Sequence, residues 1–186
     1  MWRGVPLCVR RLRLRVVGRI WFYDCEFVER ADSRAIDLVS IGLVSSDGAD
    51  SYYAACTDFD AAQALPWVRR HVLDQLPSPA DPAWRSRERI RADLEELLLG
   101  AGSGGEDPEL WAWYAAYDHV VLCQLWGRMP DLPRRMPRFT RDLRQLWEEC
   151  GSPPLPRQGN GQHSAIADAH HNLARWRALA PYRTRG

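Results

Sequence analysis

Four carboxylates and one histidine carry the chemistry this chain could perform. They are Asp24 and Glu26 in FYDCEF, Asp118 in WYAAYDHV, and His163 with Asp168 in HSAIAD. Side chains two apart on a strand share a face, so Asp24 and Glu26 project together while Trp21, Tyr23, Cys25 and Phe27 form an apolar face. Two adjacent carboxylates repel, and the repulsion is relieved by solvent, a shared proton or a cation. Taken singly, each group has a plainer role. The DxE is a solvated strand end, Asp118 is a helix cap at a strand-to-helix junction, and His163 is an exposed ring beside a glycine-rich loop.

Taken together, the groups point elsewhere. The five-residue spacing of His163 and Asp168 does not suit one regular helix face, which requires three or four. It works if His163 lies in the loop before a helix and Asp168 on its first turns. All five groups then fall at element ends. An oxygen-rich set of this kind suits Mg²⁺ or Mn²⁺ rather than Zn²⁺. Two such ions, about 3.5–4 Å apart, clamp the attacking and departing oxygens of an in-line phosphoryl displacement.

The elements that must position these groups are legible from pattern and punctuation. Arg19–Phe27, Ala35–Ser45 and Ser51–Thr57 are strand-like, with an Asp47-Gly48 turn before the third, so the fold is expected to open as an antiparallel meander. A helix over Ala61–Leu76 is expected to be interrupted near Pro66. Asp81-Pro82 resembles a helix start ahead of Ile90, Leu94, Leu97 and Leu98, and Gly100–Gly105 is expected to stop that helix. Glu109–Ala115 is expected to be the fourth strand and Tyr117–Trp126 a helix. A short strand or helix start at Arg138–Thr140 leads into a helix bearing Leu143, Leu146 and Trp147. Residues 151–161 form a loop, and His163–Leu179 is the last helix. This order predicts an α/β fold with a mixed five-stranded sheet, its first strands antiparallel, flanked by helices.

The chain has 186 residues, 46% hydrophobic and 26% charged, which is one globular domain's worth. No apolar run approaches the length of a membrane span. Five scattered cysteines without a CxxC pair argue against a disulfide framework or zinc ribbon and for a reducing cytoplasm. The net charge of +1 conceals an uneven layout. All 25 basic residues are arginine, and five of them lie in residues 1–18, which contain no acid; the remainder holds 20 arginines against 24 acids, a net of −4. Residues 1–18 are therefore expected to be a disordered basic extension, and 181–186 a short basic tail. The mildly acidic body gives no global case for nucleic-acid binding, so that case rests on the site.

In type and order, Asp24, Glu26, Asp118, His163 and Asp168 match the DEDDh pattern of 3′–5′ exonucleases on the ribonuclease H-like fold. The blocks FYDCEF, LVSIGLVSSDG, YYAACTDFD, WVRRHVLDQLP, LWAWYAAYDHVVLCQLWG, RFTRDLRQLWEECG and HSAIADAHHNL resemble the small bacterial polyadenylate-specific 3′-exoribonuclease AS family over residues 19–180. The resemblance implies two Mg²⁺ ions, with Mn²⁺ able to substitute. Asp24 would bridge both ions. Glu26 and Asp168 would complete the site of the ion carrying the attacking water, Asp118 would hold the second ion, and His163 would take the water's proton. It also implies an RNA substrate, nucleoside 5′-monophosphate products and a homodimer. Cys25 stands where the family's DxE would have threonine, a position facing away from the ions.

Two other readings compete: a DNA or short-oligonucleotide exonuclease, and a catalytically silent binding module on the same fold. The presence of all five motif residues disfavours the second. Asp142 reads as a first-turn carboxylate meeting a helix dipole. His119 accompanies the motif without a role, and His170 and His171 are expected to turn away from Asp168. Trp111 and Trp113 read as core packing rather than base platforms. Arg175, Arg177, Arg183 and Arg185 read as a solvated face that could guide an RNA backbone.

Overall fold

The computed structural model describes residues 19–183 apart from 32, 34 and 104. The basic extension and the end of the C-terminal tail, Arg185 included, lie outside the described residues. The strands are β1 (Ile20–Glu29), β2 (Ile36–Ser45), β3 (Ser51–Cys56), β4 (Trp84–Arg85), β5 (Glu109–Ala112) and β6 (Arg141–Asp142). The helices are α1 (Pro66–His71), α2 (Arg87–Leu99), α3 (Ala116–Cys123), α4 (Leu143–Glu149) and α5 (Ala165–Ala178). The strands form one mixed sheet in the order β4-β3-β2-β1-β5-β6. β1, β2 and β3 pair antiparallel, whereas β5 joins β1 in parallel and β4 joins β3 in parallel. The expected meander and flanking helices are present.

The sheet has six strands rather than five. The extra one, β4, lies where Asp81-Pro82 was expected to open a helix. Instead Ser86 caps α2, its Oγ accepting from the Arg89 N–H at 3.2 Å. That leaves Trp84 and Arg85 to pair with Ala55 and Cys56. The region expected to be helical over Ala61–Leu76 forms short helical pieces, and its interruption near Pro66 falls at Ala64 and Leu65, after which Pro66 opens α1 at a first-turn position whose missing N–H costs nothing. The strand expected near Arg138–Thr140 falls at Arg141–Asp142, and the fourth strand ends at Ala112 rather than Ala115.

Alternation along β1 divides the core. Trp21, Tyr23 and Cys25 pack with Leu94 and Leu98 of α2 and Val121 and Leu122 of α3. Phe22 faces the other way and packs with Leu143 of α4 and Ala169 and Leu173 of α5. Asp24 and Glu26 share the Phe22 face, so they project toward α5. The β1–β2 register shifts between Glu26 and Phe27, an irregularity of the kind that re-aims side chains beside active sites.

Gly42 sets the height of α5 above the sheet. It pairs with Asp24 across β1 and β2. A Cβ built on it would lie 2.4 Å from the Ala165 carbonyl carbon and from the Ile166 Cα. Only a residue without a side chain lets the first turn of α5 rest on β2 at this point. That close approach carries Asp168, also in the first turn, over Asp24.

Candidate active site

β1 outruns its parallel neighbour. Pairing with β5 ends at Phe22–Trp111, so beyond that point the backbone of β1 needs other partners on this side. Two side chains supply them. The Asn172 amide of α5 donates to the Tyr23 carbonyl at 3.1 Å. The Cys25 N–H donates to Asp118 Oδ1 at 2.7 Å. Strand shortening at β5 thus opens the edge of β1 and fixes where α5 and α3 attach.

Asp24, Glu26 and Asp168 each offer a ligand atom, and these atoms all lie within 4.8 Å of one another. Asp118 and His163 line the same open cleft, whose volume is about 750 Å³, without belonging to that trio. All five residues singled out from the sequence therefore converge on one cleft. Burial and the surrounding carboxylates hold the Asp24 carboxyl well above its ordinary range. Burial, with Asp168 and Asp118 nearby, pushes Glu26 up to about 8. Burial pushes Asp118 up to about 7, against the opposing pull of the Cys25 N–H. A cluster of this kind has more negative charge than its surroundings neutralise, and hard cations with oxygen preference fit it.

His163 lies in the loop before α5, as its spacing required. Its backbone has φ 64, a left-handed conformation uncommon outside glycine. Its N–H donates to Asp168 Oδ2 at 2.9 Å, so Asp168 fixes the loop through the backbone and leaves the imidazole free of that contact. The ring stands edge-on to Trp67 of α1, with centroids 4.8 Å apart. Gln75, just past α1, ties down the same loop by donating to the Gln162 carbonyl at 2.7 Å. Gln158 donates to Asp168 Oδ1.

Several cleft residues were not anticipated. His171 does not turn away from Asp168. It is buried and lines the cleft, because residues three apart share a helix face; His170, by contrast, is exposed. Arg175, one turn further on, is half-buried in the cleft rather than solvated. The 168, 171, 175 spacing was the available signal. Trp113 follows β5 and also lines the cleft, as do the exposed Tyr114 and Tyr117, the latter stacked on Phe27 at 5.7 Å. Asp142 is itself the N-cap of α4, accepting from Arg144 N at 2.7 Å, and its other oxygen accepts from Ala115 N at 3.0 Å. Among the described residues no helix is long and apolar enough to cross a membrane.

Comparison with known proteins places this geometry in context. The model of the Rv2179c-like 3′–5′ exoribonuclease domain matches residues 20–180. The chain is 53% identical over 159 residues to the 3′–5′ exoribonuclease Rv2179c of Mycobacterium tuberculosis H37Rv, covering 86% of this chain and 92% of that one. Among solved structures, S. pombe Pop2p in its Mg²⁺- and Mn²⁺-bound form superposes with a TM-score of 0.54 at 15% identity, over 90% of this chain and 84% of that one. The Saccharomyces cerevisiae Pan2 exonuclease module in complex with AAGGAA RNA gives 0.56 at 14% identity, over 93% of this chain and 30% of that one. At these identities the likeness is one of fold, the ribonuclease H-like fold that the motif order implied.

Proposed function

The chain belongs to the Rv2179c-like 3′–5′ exoribonuclease family, and from that premise we propose that it works with two divalent cations, Mg²⁺ or Mn²⁺, at RNA 3′ ends, releasing nucleoside 5′-monophosphates. The observation that carries this is the convergence of Asp24, Glu26 and Asp168, from β1 and the first turn of α5, to within 4.8 Å. The donor set is all carboxylate, which fits these ions and not zinc. Asp24, Glu26, Asp168 and Asp118 would hold them. Bound there, the cations would supply Lewis-acid polarisation of the phosphoryl oxygens and offset charge on the departing 3′ oxygen. His163 accepts the proton of the attacking water on a ring nitrogen, as general base. Imidazole is the side chain suited to proton transfer near neutrality. Asp168 holds the His163 backbone, and Trp67 flanks the ring.

Adenylate-rich single strands and 3′ overhangs are the substrates we propose, on the resemblance of the motif blocks to the polyadenylate-specific AS family. The same resemblance carries the proposal of a homodimer, which light scattering on the purified protein tests. A cytoplasmic location rests on the scattered cysteines.

The deciding experiment uses a 5′-labelled oligoadenylate in Mg²⁺. Asp24→Ala and Asp168→Ala are each expected to slow shortening from the 3′ end by about 10³-fold or more, the several kcal/mol that such ions contribute. Variants that digest it at the parent rate overturn the metal site. Mixed RNA, duplex RNA with a 3′ overhang, and DNA, each with and without EDTA, then fix the substrate. Equal rates on DNA would overturn the RNA assignment.

A further inference from the structure

We propose that Arg175 binds a phosphate of the RNA strand, making the α5 side of the cleft an anion subsite beside the carboxylate cluster; this rests on the exoribonuclease reading above. Asp168, His171 and Arg175 follow one another at spacings of three and four on α5, so they form one stripe facing the cleft. The guanidinium is held in place. It lies over the Trp113 ring, 4.2 Å from the centroid, and Nη1 donates to Asn172 Oδ1 at 2.9 Å. Asn172 is itself anchored by its bond to the Tyr23 carbonyl. Arg175 is thus fixed to β1, the strand that carries Asp24 and Glu26.

What it lacks is an anion. Of the other arginines that lie over aromatic rings, three are ion-paired, Arg19 with Asp50 at 2.5 Å, Arg141 with Glu109 at 3.2 Å and Arg144 with Glu148 at 2.7 Å; Arg183, over Trp176 outside the cleft, has no such pair among the described residues. Arg175 makes no ion pair among the described residues. Asp24 and Asp168 act on it only at longer range. A guanidinium has five donors in a planar fork, and the Asn172 bond uses one of them. A stacked, part-desolvated and pre-oriented fork is the arrangement that recognises phosphate oxygens in a bidentate manner. The rest of the cleft's charged lining is Asp24, Glu26, Asp118, Asp168 and the exposed Arg157, so an RNA strand entering this acidic lining needs a fixed positive group beyond the cations.

A double-mutant cycle between the protein and the RNA backbone tests this. Octaribonucleotides carry one neutral methylphosphonate, placed in turn at the first, second and third linkages from the 3′ end. They compete in Mg²⁺ with a labelled all-phosphate RNA for the parent protein and for Arg175→Gln. At one linkage the neutral group is expected to raise the parent's inhibition constant about 10- to 100-fold. The same replacement is expected to change that of Arg175→Gln by no more than about 2-fold. Arg175→Lys should recover part of the difference, and the slope of log affinity on log salt should fall by about 0.7 in Arg175→Gln. If every neutral linkage costs the variant as much as the parent, Arg175 merely packs on Trp113 and the proposal fails. The scan on the parent alone also decides: no sensitive linkage overturns the subsite, even where Arg175→Gln does not fold. A parent protein that cleaves no RNA, seen before any competitor is added, overturns the underlying mechanism instead.

Discussion

The acidic cluster makes an unusual demand on its own residues. In the folded protein Glu26 titrates at about 8 and Asp118 at about 7, and Asp24 is raised as well, whereas unfolded carboxyls titrate near 4. Between those values the native state holds protons that the unfolded state has released, so stability falls as pH rises. In EDTA the melting temperature is therefore expected to drop from pH 5 to pH 8. Adding Mn²⁺ should raise it, by an increment that grows with pH as cations displace those protons. A melting temperature that climbs across this window without metal would contradict the cluster's electrostatics. His163→Gln is expected to keep the Mn²⁺ increment and lose about 10²–10⁴-fold in kcat. A loss of the increment would make His163 a ligand rather than a base. The five motif residues were legible because alternation and element ends fix direction without tertiary detail. His171 and Arg175 escape the sequence reading although their spacing from Asp168 is visible, because His171 is grouped there with His170, which does turn away, and Arg175 with the arginines of the C-terminal end.

Positioning in this fold is done by short features at element ends. Gly42→Ala places a Cβ against the backbone of Ala165 and Ile166, atoms that cannot step aside as a flexible side chain does. The start of α5 must lift, taking Asp168 with it. The expected cost is about 3 kcal/mol in denaturant unfolding, at the upper end for overpacking. Mn²⁺ stabilisation should weaken as well, because the trio is pulled apart. Asn172→Ala acts on the same junction by another route: it leaves the buried Tyr23 carbonyl without its side-chain donor, at about 1–3 kcal/mol, and frees Arg175. Parent-like unfolding for both variants would mean that α5 is held elsewhere. The meander and the last helix were legible because each is long and strongly patterned. β4 was not, and β6 was placed only to within a few residues, since two-residue strands have no periodicity and exist only through tertiary pairing. Gly42 was equally silent, because its role depends on which helix crosses it.

At the scale of the whole chain, charge and fold separate. The five arginines and no acids of residues 1–18 precede a body with a net charge of −4, while the family match starts at residue 20 and the sheet begins at Ile20. If the cleft supplies its own cations and Arg175 supplies the phosphate contact, RNA binding does not depend on this extension. Removing residues 1–18 is then expected to leave the melting temperature and kcat at parent values and the salt dependence of KM unchanged. If instead the extension neutralises phosphates, its removal should flatten that salt dependence by about 0.7 per lost contact on single strands and raise KM most at low salt, where screening is weakest. Steady-state rates on an oligoadenylate at two ionic strengths distinguish these outcomes, because the two mechanisms predict different slopes and not merely different rates.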